Sequence, residues 1–384
     1  MFDRMIIGID ARCLFTTPRT GVGEFTFELL SHLFERETTH QFILFTNAFK
    51  KNDVLPFFTF PHVSWVYTTI PNKLFHVSIS LLRRPRLDRY VANKAGVKNI
   101  DIWFSPNLLF TSLSPQTTHI LTIHDLSFEH YPHYFSQKAR MWHRAVHPKK
   151  QIEHARHIIV PSEHTKRDVV HTFQKDPDIV HVFPPGLCSD IQKMSDEHRR
   201  RTIQKKYNLP EHYMLFLGTL ESRKNLGSIL DAYEHSAYLR TRMPLIFAGA
   251  LGYRGDSYVK RIQNISTARY IGYVQEEEKQ TLYAGARALI YPSMYEGFGF
   301  PVLEALACGT PVIASNRASL PAVVGHGGIL VNSLNTKQLG DAMERLMTDD
   351  TLYTQLSEEG RKHAGTYSWD RAAVSLLTLF DTIH

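Results

Sequence analysis

The chain has 384 residues, enough for two ordinary domains with separate cores. Its 43% hydrophobic and 21% charged residues exclude a disordered chain, and no apolar run reaches the length of a bilayer span. A formal net charge of +7 suits an anionic partner, without choosing between a nucleotide, a phospholipid surface and nucleic acid. No RNA-binding or zinc-finger signature is present, so nucleic acid is set aside. Cys13, Cys188 and Cys308 stand far apart with no C-x-x-C pair. That fits a reducing, cytoplasmic setting and argues against a disulfide framework or a structural zinc site.

In chain order, MFDRMIIGIDAR carries Asp3 and Arg4 before a short apolar run and reads as a first strand rather than a signal peptide. Strand-like runs follow at 5–10, 41–47, 63–70, 100–105, 119–125, 157–162 and 179–183, with helical stretches such as 23–34 and 137–155 between them. The rhythm restarts at 213–219 and continues at 244–250, 268–274, 287–293, 311–316 and 327–332, separated by helical stretches at 225–236, 276–286 and 301–307. Continuous apolar strands between helices predict parallel sheets covered on both faces. The segment 184–210 opens on Pro-Pro-Gly and is rich in charge, as a linker with a short helix would be. The boundary is placed near Pro185, and 369–384 reads as an amphipathic helix. The expected class is therefore α/β, with two doubly wound domains at 1–185 and 186–368 facing across a cleft. Ligands of such sheets bind outside the carboxyl ends of the strands, which points to the strand-to-helix loops.

The first such loop, TPRTGVGEF, sets Gly21 and Gly23 in a tight turn before a helix. It lacks the third glycine of a dinucleotide fingerprint, and no acidic residue ends the second strand, which counts against an NAD site and leaves a plain turn as the other reading. The segment 72–96 mixes apolar residues with Arg83, Arg84, Arg86 and Arg89. It reads either as a helix pair touching an acceptor or an anionic membrane surface, or as a core helix with a solvated basic end. His124 and Asp125 end a buried strand, where an imidazole can take a proton or bond a hydroxyl and a carboxylate can orient it or act on an acceptor. Alone, such a pair is as often structural. His143 and His147 are spaced for a shared metal, but no acidic third ligand is evident and no metal is expected. Asp176-Pro177-Asp178 reads as a turn.

In the second half, Arg223 and Lys224 stand just before a helix starting near Asn225. Two cations there oppose the helix dipole and make sense if a diphosphate lies between them and the helix; otherwise they are a solvated surface pair. The strongest feature is YPSMYEGFGFPVLEALACGTPVIAS, residues 291–315. A strand ends near Ser293, a loop with Gly297 and Gly299 follows, and a helix opens at Pro301, giving free N–H groups and glycines for close approach of an anion or sugar. Glu296 precedes that helix and Glu304 lies eight positions on, inside it.

This stretch resembles the E-x7-E element of retaining glycosyltransferases of the GT-B architecture, family 4 (glycosyl transferases group 1) above all. YPS-YEGFG and EA-ACGTPVIAS resemble that family too, the likeness runs from TGVGEFTFELL to the final helix, and E-x-R-K-N leans towards a mannosyltransferase-like subgroup. The resemblance implies two Rossmann-like domains, the first binding the acceptor and the second the donor, with the last helix packing back on the first. It implies transfer of a hexose from a nucleotide diphosphate sugar, GDP-mannose or UDP-glucose, to a saccharide or lipid-linked acceptor in bacterial polysaccharide biosynthesis, with retention and without a cofactor or metal. On that pattern Glu296 bonds the donor sugar and Glu304 the ribose. The turn from Gly297 through Phe298, Gly299 and Phe300 to Val302 holds sugar and phosphate oxygens. Arg223 and Lys224 neutralise the diphosphate, with Thr219 where many members carry an arginine. His124, with Asp125, lies near the anomeric carbon. Gly21, Val22 and Gly23 reach the diphosphate through their backbones, and Tyr273 and Val274 hold the base. Ala322 and His326 replace two acids of the family pattern. With Thr219 they motivate the alternative of an inactive nucleotide- or sugar-binding protein of this fold.

Overall fold

The computed structural model describes residues 4–15, 21–36, 38–47, 58–187 and 197–383. The chain divides into two compact units. One comprises Met1–Phe128, Gln137–Gly186 and Ser368–His384, and the other comprises Glu129–Ser136 and Leu187–Tyr367.

Among the described residues the first unit is built on seven parallel strands: β1 (Ile6–Asp10), β2 (Gln41–Asn47), β3 (Val63–Thr68), β4 (Ile102–Ser105), β5 (Thr118–Thr122), β6 (His157–Val160) and β7 (Val180–Val182). Their order is β3-β2-β1-β4-β5-β6-β7. The central strands are buried along their length because helices cover both faces, so their sequences run apolar without alternation. The helix Trp369–Thr382 packs on the helix Gly21–Phe34, and its Phe380 ring lies 6.3 Å from Phe42 and 6.2 Å from Phe104. An ion pair from Arg36 to Asp370 at 2.6 Å and a hydrogen bond between His40 Nε2 and Asp381 Oδ1 at 2.8 Å tie down its two ends.

The described residues of the second unit form six parallel strands: β8 (Tyr213–Leu217), β9 (Leu245–Ala248), β10 (Ala268–Tyr270), β11 (Ala286–Tyr291), β12 (Val312–Ser315) and β13 (Gly328–Val331). Their order is β10-β9-β8-β11-β12-β13. In each sheet the chain starts in the middle, builds outward one way, then crosses over and builds the other way. The order reverses between β1 and β4 in the first unit and between β8 and β11 in the second. Loops leaving adjacent strands there diverge to opposite faces and open a crevice, which is where such sheets bind ligands.

Local chemistry corrects several sequence expectations. Gly21 and Gly23 lie inside the first helical turn rather than in a loop before it, and the rest of that loop, 16–20, is outside the described residues. The stretch 137–155 is two helices, Gln137–Val146 and Pro148–His154, broken at His147 with φ 53°. Pro148 can open a helix but cannot continue one, because it lacks the N–H and its ring clashes with the preceding turn. Of the linker, Glu197–Lys206 is a helix, while 188–196, with Cys188, lies outside the described residues. Cys13 and Cys308 form no disulfide, and burial pushes both thiols up to about 12. Among the described residues no helix is long and apolar enough to cross a membrane.

Candidate active site

In the second unit the loops after β8 and β11 bring the main candidates together. Ser222–Lys224 form one 3-10 turn, and Asn225, at φ 58°, redirects the chain into the helix Leu226–His235. Lys224 Nζ lies 2.6 Å from Glu296 Oε1 and 2.5 Å from the Tyr291 hydroxyl, with its ammonium 4.9 Å from the centre of that ring. Arg223 donates from Nη1 to Glu296 Oε2 at 3.0 Å and to the Tyr295 carbonyl at 2.7 Å, and from Nη2 to Glu221 Oε1 at 2.8 Å. The Met294 amide closes the link between the two loops by donating to the Arg223 carbonyl at 2.9 Å.

Glu296 and Lys224 are both buried. Burial alone raises a carboxyl, but Arg223 and Lys224 outweigh it and hold Glu296 at about 2. Burial draws Lys224 below its ordinary value, and Glu296 opposes this. Glu296 is thus ionised at neutral pH. Two cations face two carboxylates, Glu221 and Glu296, so the cluster is formally neutral without a ligand. An arriving anion competes with these carboxylates for donors already in place. Sequence reasoning named both cations and Glu296 but missed Glu221 and Tyr291. Glu221 was visible as the acid two residues before Arg223, whereas nothing local marks the tyrosine that ends β11.

The turn after Glu296 is braced from behind. Ser319 Oγ, buried, lies 2.9 Å from the Glu296 carbonyl and 2.6 Å from the Phe298 carbonyl. Gly299 caps the helix Phe300–Ala307 at φ 120°, a conformation open essentially to glycine, and a Cβ there would lie 2.8 Å from Leu320 Cδ2. Gly299→Ala is expected to lower stability by about 2 kcal/mol, read as a urea midpoint shift with unchanged slope. The Val302 side chain is wholly buried, and its amide donates to the Gly299 carbonyl at 3.0 Å, which holds the turn.

Glu304 projects from the same helix, and its Oε2 accepts from the buried Tyr283 hydroxyl at 2.6 Å, while Lys279 Nζ stands 3.9 Å from Oε1. Tyr283 was not singled out from sequence. If Glu304 grips the donor ribose, Tyr283→Phe should raise the donor KM several-fold with little change in kcat and cost about 1 kcal/mol of stability. Steady-state kinetics alongside a urea melt checks both. Tyr273 is exposed beyond β10, and Val274 beside it is buried. Thr219 is exposed at the end of β8, and Ala322 and His326 are exposed around the helix Leu320–Val324.

In the first unit His124 follows β5. Its Nε2 lies 2.8 Å from the Pro106 carbonyl beyond β4, and Phe25 packs edge-on at 4.8 Å. A carbonyl only accepts, so Nε2 carries the proton and Nδ1 presents a lone pair. Burial pushes the imidazole below its usual value, with the Pro106 bond and Asp125 opposing. Asp125 does not orient the ring by a hydrogen bond. Its Oδ1 accepts from the Ser127 amide at 2.8 Å and hydroxyl at 2.6 Å, and the ring is set by Pro106 and Phe25 instead. Gly21 is exposed at the start of its helix, Val22 is half-buried and Gly23 is buried. His143 stacks on Phe128 at 5.1 Å, His147 is exposed in the break between helices, and Asp176 caps a 3-10 turn by accepting from the Asp178 amide at 3.0 Å.

Comparison with known proteins identifies the family and the fold. Residues 199–363 match glycosyl transferases group 1, and residues 19–190 match glycosyltransferase family 4. O-antigen chain mannosyltransferase B of Escherichia coli is 30% identical over 266 residues, 68% of this chain and 69% of that protein. Sucrose-phosphate synthase of Thermosynechococcus elongatus superposes with a TM-score of 0.74, covering 98% of both chains at 19% identity. HepE of Anabaena, solved with UDP-glucose, superposes at 0.72 over 99% of this chain and 100% of that one at 14% identity. At such identities these two structures speak for the fold alone. The chain belongs to glycosyltransferase family 4, with its group 1 region in the second half, and is a glycosyltransferase of the GT-B fold.

Proposed function

We propose that this protein transfers mannose from GDP-mannose, with retained anomeric configuration, to a saccharide or lipid-linked saccharide in bacterial polysaccharide synthesis. Support for the sugar comes from the relative that is named for mannosyl transfer to O-antigen chains. UDP-glucose is the second reading, favoured by the UDP-glucose bound in HepE. The observation that carries the reaction type is the Arg223–Lys224–Glu296 cluster at the β8/β11 reversal.

In this reading the diphosphate takes up donors from Arg223 and Lys224, together with amides of the Phe298–Phe300 turn, and displaces part of their bonding to Glu221 and Glu296. Glu296, relieved of one cation, bonds sugar hydroxyls. As the C1–O bond to the β-phosphate breaks, charge grows on the leaving oxygen. Preorganised cations stabilise that charge more than they stabilise the ground state. The acceptor oxygen bonds C1 on the same face, and its proton passes to the departing phosphate. His124, neutral with Nδ1 as acceptor, is assigned to a sugar hydroxyl. Glu304 and the Tyr273–Val274 backbone are assigned to the nucleoside. Because side chains supply the positive charge, transfer should persist in a chelator without added metal.

The test is donor turnover across GDP-mannose, UDP-glucose and ADP-glucose with chelator present, alongside the shift in melting temperature given by each free diphosphate. GDP-mannose turnover with a GDP-specific shift is expected. Stabilisation by nucleotides with no turnover of any donor contradicts the proposal.

A further inference from the structure

The segment Glu129–Ser136 packs as part of the second unit. It carries four aromatic side chains, His130, Tyr131, His133 and Tyr134, around Pro132. Pro132 opens a 3-10 turn, Pro132–Tyr134, and the Tyr134 amide donates to the Tyr131 carbonyl at 3.0 Å. In such a turn residues three apart eclipse, so Tyr131 and Tyr134 stack, at 5.7 Å and 24°. The His133 ring lies 4.3 Å from that of Tyr134. Tyr295 forms the base of the cluster, its ring 5.4 Å from Tyr131 and 5.9 Å from His130.

Tyr295 joins these rings to the transfer site. It directly precedes Glu296, and its carbonyl accepts from Arg223 Nη1 at 2.7 Å. Its own ring is buried, whereas His130 and His133 are exposed and Tyr131 and Tyr134 half-buried. Rings gathered only to fill a core would be covered, and covered phenols find hydrogen-bond partners. Here the Tyr131 and Tyr134 hydroxyls and the His133 ring nitrogens make no hydrogen bond among the described residues, and the two hydroxyls are not buried. Aromatic faces with unbonded donors and acceptors at their rim match a pyranose ring. Its C–H faces pack on the aromatic surface while its hydroxyls reach the polar tips.

We propose that Tyr131, His133 and Tyr134, seated on Tyr295, form the platform that receives the acceptor, a neutral hexopyranose packed against the exposed side of these rings. The inference rests on the reading of this protein as transferring sugar to a saccharide, and it adds which residues select that saccharide.

Saccharide binding to the full chain can be measured by saturation-transfer NMR without any donor, so it does not depend on the donor assignment. The probes are the methyl glycosides of mannose, glucose, galactose and N-acetylglucosamine. At least one is expected to bind wild type. Tyr131→Leu, which keeps bulk and removes the ring, and His133→Ala should each lower its affinity about tenfold. Tyr131→Phe, which keeps the ring, should lose about threefold or less. The melting-temperature shift given by GDP is the control for an intact donor site. Ring-dependent saccharide binding supports the proposal even if GDP gives no shift, a result that would count against the donor assignment alone. Should Tyr131→Leu fail to fold, the exposed His133→Ala variant still decides. The proposal is overturned if none of the glycosides binds, or if either folded variant binds its saccharide like wild type. It is also overturned if the variants lose the GDP shift together with the saccharide, which would place the nucleoside on these rings.

Discussion

Lys224→Ala is expected to lower kcat/KM for the donor by about 100- to 1,000-fold, the usual loss when one preorganised group facing a developing charge is removed. Lys224 is buried, and its ammonium is fixed by Tyr291 and Glu296, so it meets the growing negative charge without reorganising. The same substitution removes one partner of a buried ion pair. Complete loss of pairing costs about 3–5 kcal/mol, but Arg223 still holds Glu296 Oε2, so the stability loss should be smaller, about 2 kcal/mol. Steady-state kinetics on protein verified as folded separates the two effects. A variant that keeps more than about a tenth of wild-type kcat/KM speaks against a role for Lys224 in the transition state.

Glu296→Ala should act differently, and the difference is informative. Transfer is expected to fall by about 100-fold or more, because the carboxylate assigned to the sugar hydroxyls is gone. Binding of the nucleoside diphosphate alone should be unchanged or tighter, because the carboxylate that occupies Arg223 and Lys224 in the free protein is also gone. The unliganded variant buries two cations with one carboxylate fewer, so added diphosphate should raise its melting temperature by more than it raises that of wild type. Acid sensitivity follows from the same pairing. Glu296 is depressed from 4.5 to about 2, so its contribution to stability is complete above about pH 4.5 and is lost as the pH falls towards 2. In Glu296→Gln that portion of the acid unfolding curve should flatten. Urea midpoints at a series of pH values measure it.

Much of this architecture could be read in the sequence because it rests on strong, local physics. The central strands of both sheets sit where apolar runs lie between polar loops, since a parallel sheet buried on both faces needs such runs. The turn after Glu296 was legible because glycine at 299 and proline at 301 each answer a specific backbone demand. What stayed hidden depends on partners distant along the chain. Nothing near Lys224 announces that Tyr291, sixty-seven residues on, accepts a hydrogen bond from it, or that the Tyr283 hydroxyl donates to Glu304. The pairing of His124 with the Pro106 carbonyl, instead of Asp125, is set by the adjacency of β4 and β5. The sequence marked 72–96 only as a mix of apolar and basic residues, and the fold decides that Phe75 and Ile79 go inward and Leu74, Val77 and Leu81 stay out.

Binding of GDP and of guanosine, compared by calorimetry in wild type and in the double variant Arg223→Ala, Lys224→Ala, isolates the diphosphate. If these two side chains hold it, wild type should bind GDP at least about 100-fold more tightly than guanosine, and the double variant should lose most of that increment while binding guanosine normally. An increment that survives intact in the folded double variant would place the diphosphate elsewhere and contradict the account.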